Sequence, residues 1–261
     1  ERLRRLVEVQ PGEWPALLWS FAFFFCVLCA YYILRPVRDA MGVTVGPDYQ
    51  KWLFSIVFAV MLAAVPIFGW VASSFAKRQV LPVVYLFFIA NLLVFWALIR
   101  TRADSADVAG AFFVWVSVFN LFVVSLFWSF LADHYASDQA KRLYGFITAG
   151  GSLGVLTGAS LTNALVHRVG VANLLLISAL VLTAALGCAL ILRGLLASSG
   201  DADHPPHAGV RDILSGAIHS WHDPYLFRIA LWVLLANLVG TYFYIEEQRI
   251  VRAALTVKAD Q

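Results

Sequence analysis

The stretch YYILRPVRDAMG, residues 31–42, concentrates the groups best suited to chemistry: Arg35, Arg38 and Asp39. On a helix Arg35 and Arg38 stand three residues apart and Arg35 and Asp39 four, so the three share one face. Two guanidiniums on one face suit an anion, because their planar forks match the oxygens of a phosphate or carboxylate. Asp39 would hold the pair in place while no anion is bound. The same residues also read as an interfacial anchor, with arginines snorkelling from a helix end and Tyr31 and Tyr32 in the aromatic belt. The residues alone leave both readings open. Pro36 removes a backbone donor and disfavours helical geometry at Arg35, so the helix is expected to end or kink there.

Further polar residues interrupt apolar runs. Ser117 and Asn120 share a helix face and either line a wet cavity or bond neighbouring helices. Lys141 and Arg142 fall one turn into a helix that Ser137 or Asp138 is expected to cap, the wrong end for its dipole. That misfit makes them gate candidates, and Glu246, near the end of the seventh run, is a further one that could close a gate opposite Arg35 and Arg38. Gly145, Gly150, Gly154 and Gly158 are helix-packing candidates, the last three forming overlapping GxxxG patterns. Cys26 and Cys29 have redox spacing but lie mid-span, and the histidine pairs His204/His207 and His219/His222 lack cysteine companions. No phosphate-binding GxxxxGK[ST] loop occurs. No catalytic constellation, metal site or cofactor is therefore expected.

These residues need elements to carry them. Of 261 residues, 61% are apolar and only 13% charged, with a mean hydropathy of +0.78. Soluble domains are nearer half apolar and a quarter charged. The net charge of +3 is too small to imply a nucleic-acid partner. Membrane lipid is the expected surrounding. Seven runs approach the ~20 apolar residues that a bilayer-spanning helix needs: 16–34, 52–73, 80–99, 109–132, 143–166, 171–192 and 225–245. Short loops at 74–79 and 167–170 predict that helices 2 and 3, and 5 and 6, are antiparallel neighbours. The expected organisation is an N-terminal interfacial segment (1–15), a six-helix half (16–192), a cytoplasmic linker (193–224) and a seventh span opening a second half (225–261). Within the linker, Val210, Ile213, Leu214, Ala217, Ile218 and Trp221 outline an amphipathic surface helix. The chain would then be truncated, the remaining half of the transporter being its partner. Basic residues divide evenly between the two sides, and a cytoplasmic N-terminus follows only if Arg35, Arg38 and Lys51 serve function instead of topology.

Three stretches resemble known families. GWVASSFAKR, 69–78, resembles the loop signature of the major facilitator superfamily in Gly69, Lys77 and Arg78, and departs from it at Ser73, Ser74 and Ala76. YYILRPVRDAMGV together with FNLFVVSLFWSFLADHYASDQAKRLYGFITAGGSLG, 119–154, resembles bacterial members of the nucleotide exchange translocase (ATP/ADP carrier) family, a distant branch of the same fold. That resemblance implies an all-α, major facilitator-like bundle in a bacterial inner membrane. It implies alternating-access exchange of an anionic cargo, nucleotides among the possibilities. Leu34, Arg35, Arg38 and Asp39 fit the carriers' L-R-x-x-K-D motif, with Arg38 at the position implicated in phosphate binding. Where those carriers place an acidic residue in span 4, this chain has Ser117 and Asn120 among apolar residues. The rival expectation is a transport-inactive scaffold that binds a partner protein through the 193–224 loop.

Overall fold

The computed structural model describes residues 10, 12–44, 47–74, 77–102, 105–197 and 223–259. Residues 1–9 and the amphipathic segment 210–221, with all four linker histidines, lie outside them. The described residues form seven helices: α1 (Trp14–Thr44), α2 (Pro47–Ser74), α3 (Lys77–Thr101), α4 (Ala106–His134), α5 (Ser137–Val169), α6 (Val171–Ala197) and α7 (Pro224–Ala259). No strand occurs among the described residues. Backbone groups in hydrocarbon must bond within their own segment, which long apolar helices achieve.

Five of these helices (α1 to α4 and α6) are long and apolar enough to cross a membrane. The apolar part of α7, Pro224–Gly240, is shorter. Helix α5 has the length, at 33 residues, but Thr148, Ser152, Ser160, Thr162, Asn163 and its glycines dilute its hydropathy. It compensates by packing along α1, its most extensive partner. Helices α1–α6 belong to one compact unit and α7 to another.

Of the two outcomes expected at Pro36, an end or a kink, the end does not occur: α1 continues to Thr44. Proline deprives the carbonyl one turn earlier of its partner. Hydroxyls from other helices support carbonyls in this stretch: Thr162 of α5 donates to the Ile33 carbonyl at 3.3 Å, and Ser178 of α6 to the Ala30 carbonyl at 2.9 Å. Such cross-helix bonding lets a membrane helix tolerate proline.

Helix α1 dominates the packing, although both pairs joined by short loops do touch. Its main contacts are with α5, α6 and α4, whereas α2 barely touches α3 and α5 meets α6 only lightly. The α5–α6 connection is a single residue, Gly170, whose φ of +79° suits glycine and whose N–H bonds the Val166 carbonyl at 3.0 Å. Gly150, Gly154 and Gly158 leave α5 flat where it meets α1. A Cβ on Gly154 would collide with the Phe25 carbonyl oxygen, and one on Gly158 would lie 2.6 Å from the Cys29 carbonyl oxygen. Gly145, on the same helix, faces open space. The other side of α1 stacks on α4 through aromatic rings, Phe24 on Phe127 at 4.3 Å and Phe23 against Phe127 at 5.0 Å.

Candidate functional site

Because α1 runs through Pro36, Arg35, Arg38 and Asp39 all sit within one continuous helix. At ~1.5 Å rise per residue, Arg38 lies roughly 9 Å from the Thr44 end of α1, so the group is nearer that end than the helix middle. Arg38 donates from Nε at 3.0 Å and Nη2 at 2.8 Å to the same oxygen, Oδ1 of Asp39. Arg35 approaches the other oxygen, Oδ2, at 3.9 Å from Nε, and its Nη1 donates to the Tyr32 hydroxyl at 3.2 Å. One carboxylate thus lies between two guanidiniums. The i, i+4 partner expected for Asp39 is the weaker of the two. Arg38 is turned onto its neighbour because its guanidinium also lies 4.9 Å over the Phe113 ring of α4, a favourable stacking for a partly desolvated arginine.

Arg38 is 13% exposed and Asp39 21%, against 37% for Arg35. Arg38 is therefore the costlier charge to strand without a partner, while Arg35 keeps more contact with solvent. Phe113, itself buried, has its other contacts with α2 through Phe54, edge-on at 5.6 Å. It was not anticipated from the sequence. The available signal was its spacing: Phe113, Ser117 and Asn120 stand at i, i+4 and i+7 on one face of α4.

Ser117 and Asn120 continue that face one and two turns deeper, both half-buried. The Ser117 hydroxyl bonds its own helix, at the Phe113 carbonyl, 3.3 Å away. Asn120 makes no side-chain hydrogen bond among the described residues.

Within the unit of α1–α6, Arg142 engages the start of α1, the end opposite to the one that carries Arg38. Arg142 donates from Nη2 to Oε1 of Glu13 at 3.3 Å. Gln139 Nε2 donates to the same oxygen at 3.1 Å. Oε2 of Glu13 accepts from the Gln10 backbone at 2.9 Å. The N-cap of α5 is Ala136, not Ser137 or Asp138, and the Gln139 side chain accepts from its backbone N–H at 3.2 Å. Glu13 brings a carboxylate to the positive end of the α5 dipole and to Arg142 together. That removes the charge misfit seen in the sequence, and Glu13 went unnoticed because it lies 129 residues from Arg142. Beside it, burial pushes the Tyr135 hydroxyl above its ordinary pKa, opposed by its 2.8 Å hydrogen bond with Ser20. Tyr135 therefore stays neutral at physiological pH and ties the α4–α5 turn to α1. Lys141 faces solvent with a loose ion pair to Asp138, 3.8 Å, and Glu246 lies on α7 in the other unit.

This anchor gives a direct expectation. Glu13→Gln loses the charge-assisted bond to Arg142 while keeping the shape, and should cost about 1–3 kcal/mol, read as a lower melting temperature of the purified protein. An unchanged melting temperature for Glu13→Gln would show the pair to be idle.

No group of three or more potential metal ligands occurs among the described residues. Comparison with known proteins places these helices in context. The sequence profile of the Major Facilitator Superfamily matches residues 9–251. No curated protein and no solved structure matches the chain. With long apolar helices, an all-α bundle and a profile match over nearly its whole length, the chain belongs to the Major Facilitator Superfamily and is a multi-pass membrane transporter.

Proposed function

We propose that the protein is an alternating-access secondary transporter of a small anionic metabolite, phosphate-bearing or otherwise, with nucleotides within the range to be tested. The observation that carries this reading is the sharing of one carboxylate by two partly buried arginines: Asp39 fills the space between Arg35 and Arg38 that a substrate phosphate or carboxylate would take. Substrate binding exchanges one anion for another, so neither guanidinium is left bare in the membrane at any stage. Ser117 and Asn120 line the deeper part of the cavity, and Asn120 offers a donor and an acceptor to an uncharged portion of the cargo.

In this reading residues 16–192 form one half of a rocking pair and 225–261 belong to the other, with 1–15 and 193–224 on the cytoplasmic face of a bacterial inner membrane. Lys141 at the cytoplasmic end of α5 and Glu246 at the far end of the seventh span are the charges proposed for gating, and Arg142, engaged by Glu13, is the fixed charge beside Lys141. Kinship with the nucleotide exchange translocases rests on the match of Leu34, Arg35, Arg38 and Asp39 to their first-span motif, and it favours exchange over uniport.

The test is a thermal-shift screen of the purified full-length protein against nucleotides, sugar phosphates and organic anions. A binder present at 100 times its Kd should stabilise by about 2.7 kcal/mol. The shift should disappear in Arg38→Ala. Stabilisation only by neutral or cationic solutes would overturn the anion reading while leaving the transporter fold intact.

A further inference from the structure

Helix α2 is the least packed of the long apolar helices, with only 11% of its apolar stretch buried, against 50% for α1, α4 and α6. Between it and its neighbours α3 and α4 lies a cleft of about 510 Å³, lined by Leu53, Ile56, Phe87, Phe88, Gly110, Ala111, Val114, Trp115 and Val118. Gly110 and Ala111 create the recess by withholding side-chain bulk where the flanking positions are large. All nine residues fall inside helices apolar enough to cross the membrane. The lips, Ile56 and Phe87, are exposed, and the inner wall, Leu53 and Phe88, is buried.

We propose that this cleft is a binding site for one acyl chain of a bilayer phospholipid. Its lips are continuous with the lipid-facing surface formed by Phe58, Leu62, Leu86 and Val94, so hydrocarbon is the medium at its mouth. The lining rejects a polar occupant. Its one polar side-chain group, the Trp115 indole N–H, is buried without a hydrogen-bond partner among the described residues. It is enclosed by the rings of Phe88, Phe95, Phe112 and Phe119, all within 6.0 Å. Size rejects a transmembrane helix, which with its side chains is ~10 Å across over ~30 Å of hydrocarbon. A single alkyl chain is thin enough to lie in the recess, and it gives the inner wall the close contacts an empty cleft forfeits.

The chain would serve as packing between α2 and the rest of the bundle, completing contacts the protein does not make for itself. The inner wall leads by way of α2 to the arginine group, since Leu53 is followed by Phe54, which touches Phe113 beneath Arg38. The proposal stands independently of what that group binds.

Ala111→Phe from α4 and Ile56→Trp from α2 each fill the cleft from a different helix. Native mass spectrometry of the full chain, extracted in mild detergent with phosphatidylethanolamine and phosphatidylglycerol present, should show a retained phospholipid on the unmodified protein. The retained fraction should fall in both filled variants and persist in Leu180→Phe, which enlarges an exposed side chain on α6. In liposomes of phosphatidylcholine brominated mid-chain, Trp115 should be quenched, as judged by difference from Trp115→Phe, and Ala111→Phe should relieve that quenching. Equal lipid retention in all variants, or no quenching of Trp115, would overturn the proposal. So would a change of oligomeric state on filling the cleft, which would make it a contact between protein chains.

Discussion

Arg38→Ala abolishes measurable uptake in proteoliposomes, whereas Arg38→Lys retains a fraction of it: this is the largest functional effect expected of any single substitution. Arg38 makes two charge-assisted bonds to Asp39 and lies over Phe113. Removing it takes away half of the proposed anion site and the closer of the two guanidiniums at a carboxylate that is only 21% exposed. Truncating one member of a buried, hydrogen-bonded charge pair costs 2–5 kcal/mol or more, which at ~1.4 kcal/mol per tenfold is roughly a 30- to 3,000-fold loss of affinity. Lysine keeps the charge but cannot direct two fixed N–H groups at the carboxylate or stack flat on the ring, so an intermediate defect is expected, concentrated in KM. Arg35→Ala should be milder, since Arg35 is more exposed and stands 3.9 Å from its carboxylate oxygen. Uptake unchanged in Arg38→Ala, with the protein correctly folded, would remove the arginine pair from the transport pathway.

What could be read from the sequence divides along a physical line. A membrane helix announces itself through some twenty consecutive apolar residues, a local property, and the runs at 16–34, 52–73, 80–99, 109–132 and 171–192 each lie inside a helix of the structure. Proline's effect was also inferred locally, and the helix end it suggested at Pro36 does not occur. The groups that support α1 near Pro36 are Thr162 and Ser178, 129 and 148 residues distant from the carbonyls they bond. Arg35, Arg38 and Asp39 stood out because charges are rare in an apolar run. Phe113 did not, because one more phenylalanine among twenty carries no compositional signal. Glu13 was hidden for a related reason: its partners Gln139 and Arg142 come from the far side of four helices. Chemistry spaced within two turns was legible; chemistry assembled by packing was not.

The largest structural effect should follow from Gly154→Val, and it tests whether packing sets the geometry around the arginine pair. On Gly154 a Cβ meets the Phe25 carbonyl oxygen and lies 3.1 Å from the Cys29 backbone nitrogen. These are main-chain atoms of α1 and cannot rotate aside, so α5 must move as a body. Overpacking ordinarily costs about 1–3 kcal/mol; here it falls on the most extensive helix pair in the protein, and the two methyl groups of valine add to the displacement. Separation of α5 from α1 also pulls Thr162 from the Ile33 carbonyl, a bond already at 3.3 Å, two residues before Arg35. Gly154→Val should therefore fail to give monodisperse protein, and Gly154→Ala should give folded protein with a lowered melting temperature and impaired transport. Gly145→Ala is the control: it lies on the same helix, faces open space, and should gain up to about 1 kcal/mol from lost glycine flexibility. If Gly154→Ala melts with Gly145→Ala, close approach of α5 to α1 is not what holds the bundle, and the position of Arg35 and Arg38 must be fixed by α4 and α6 instead.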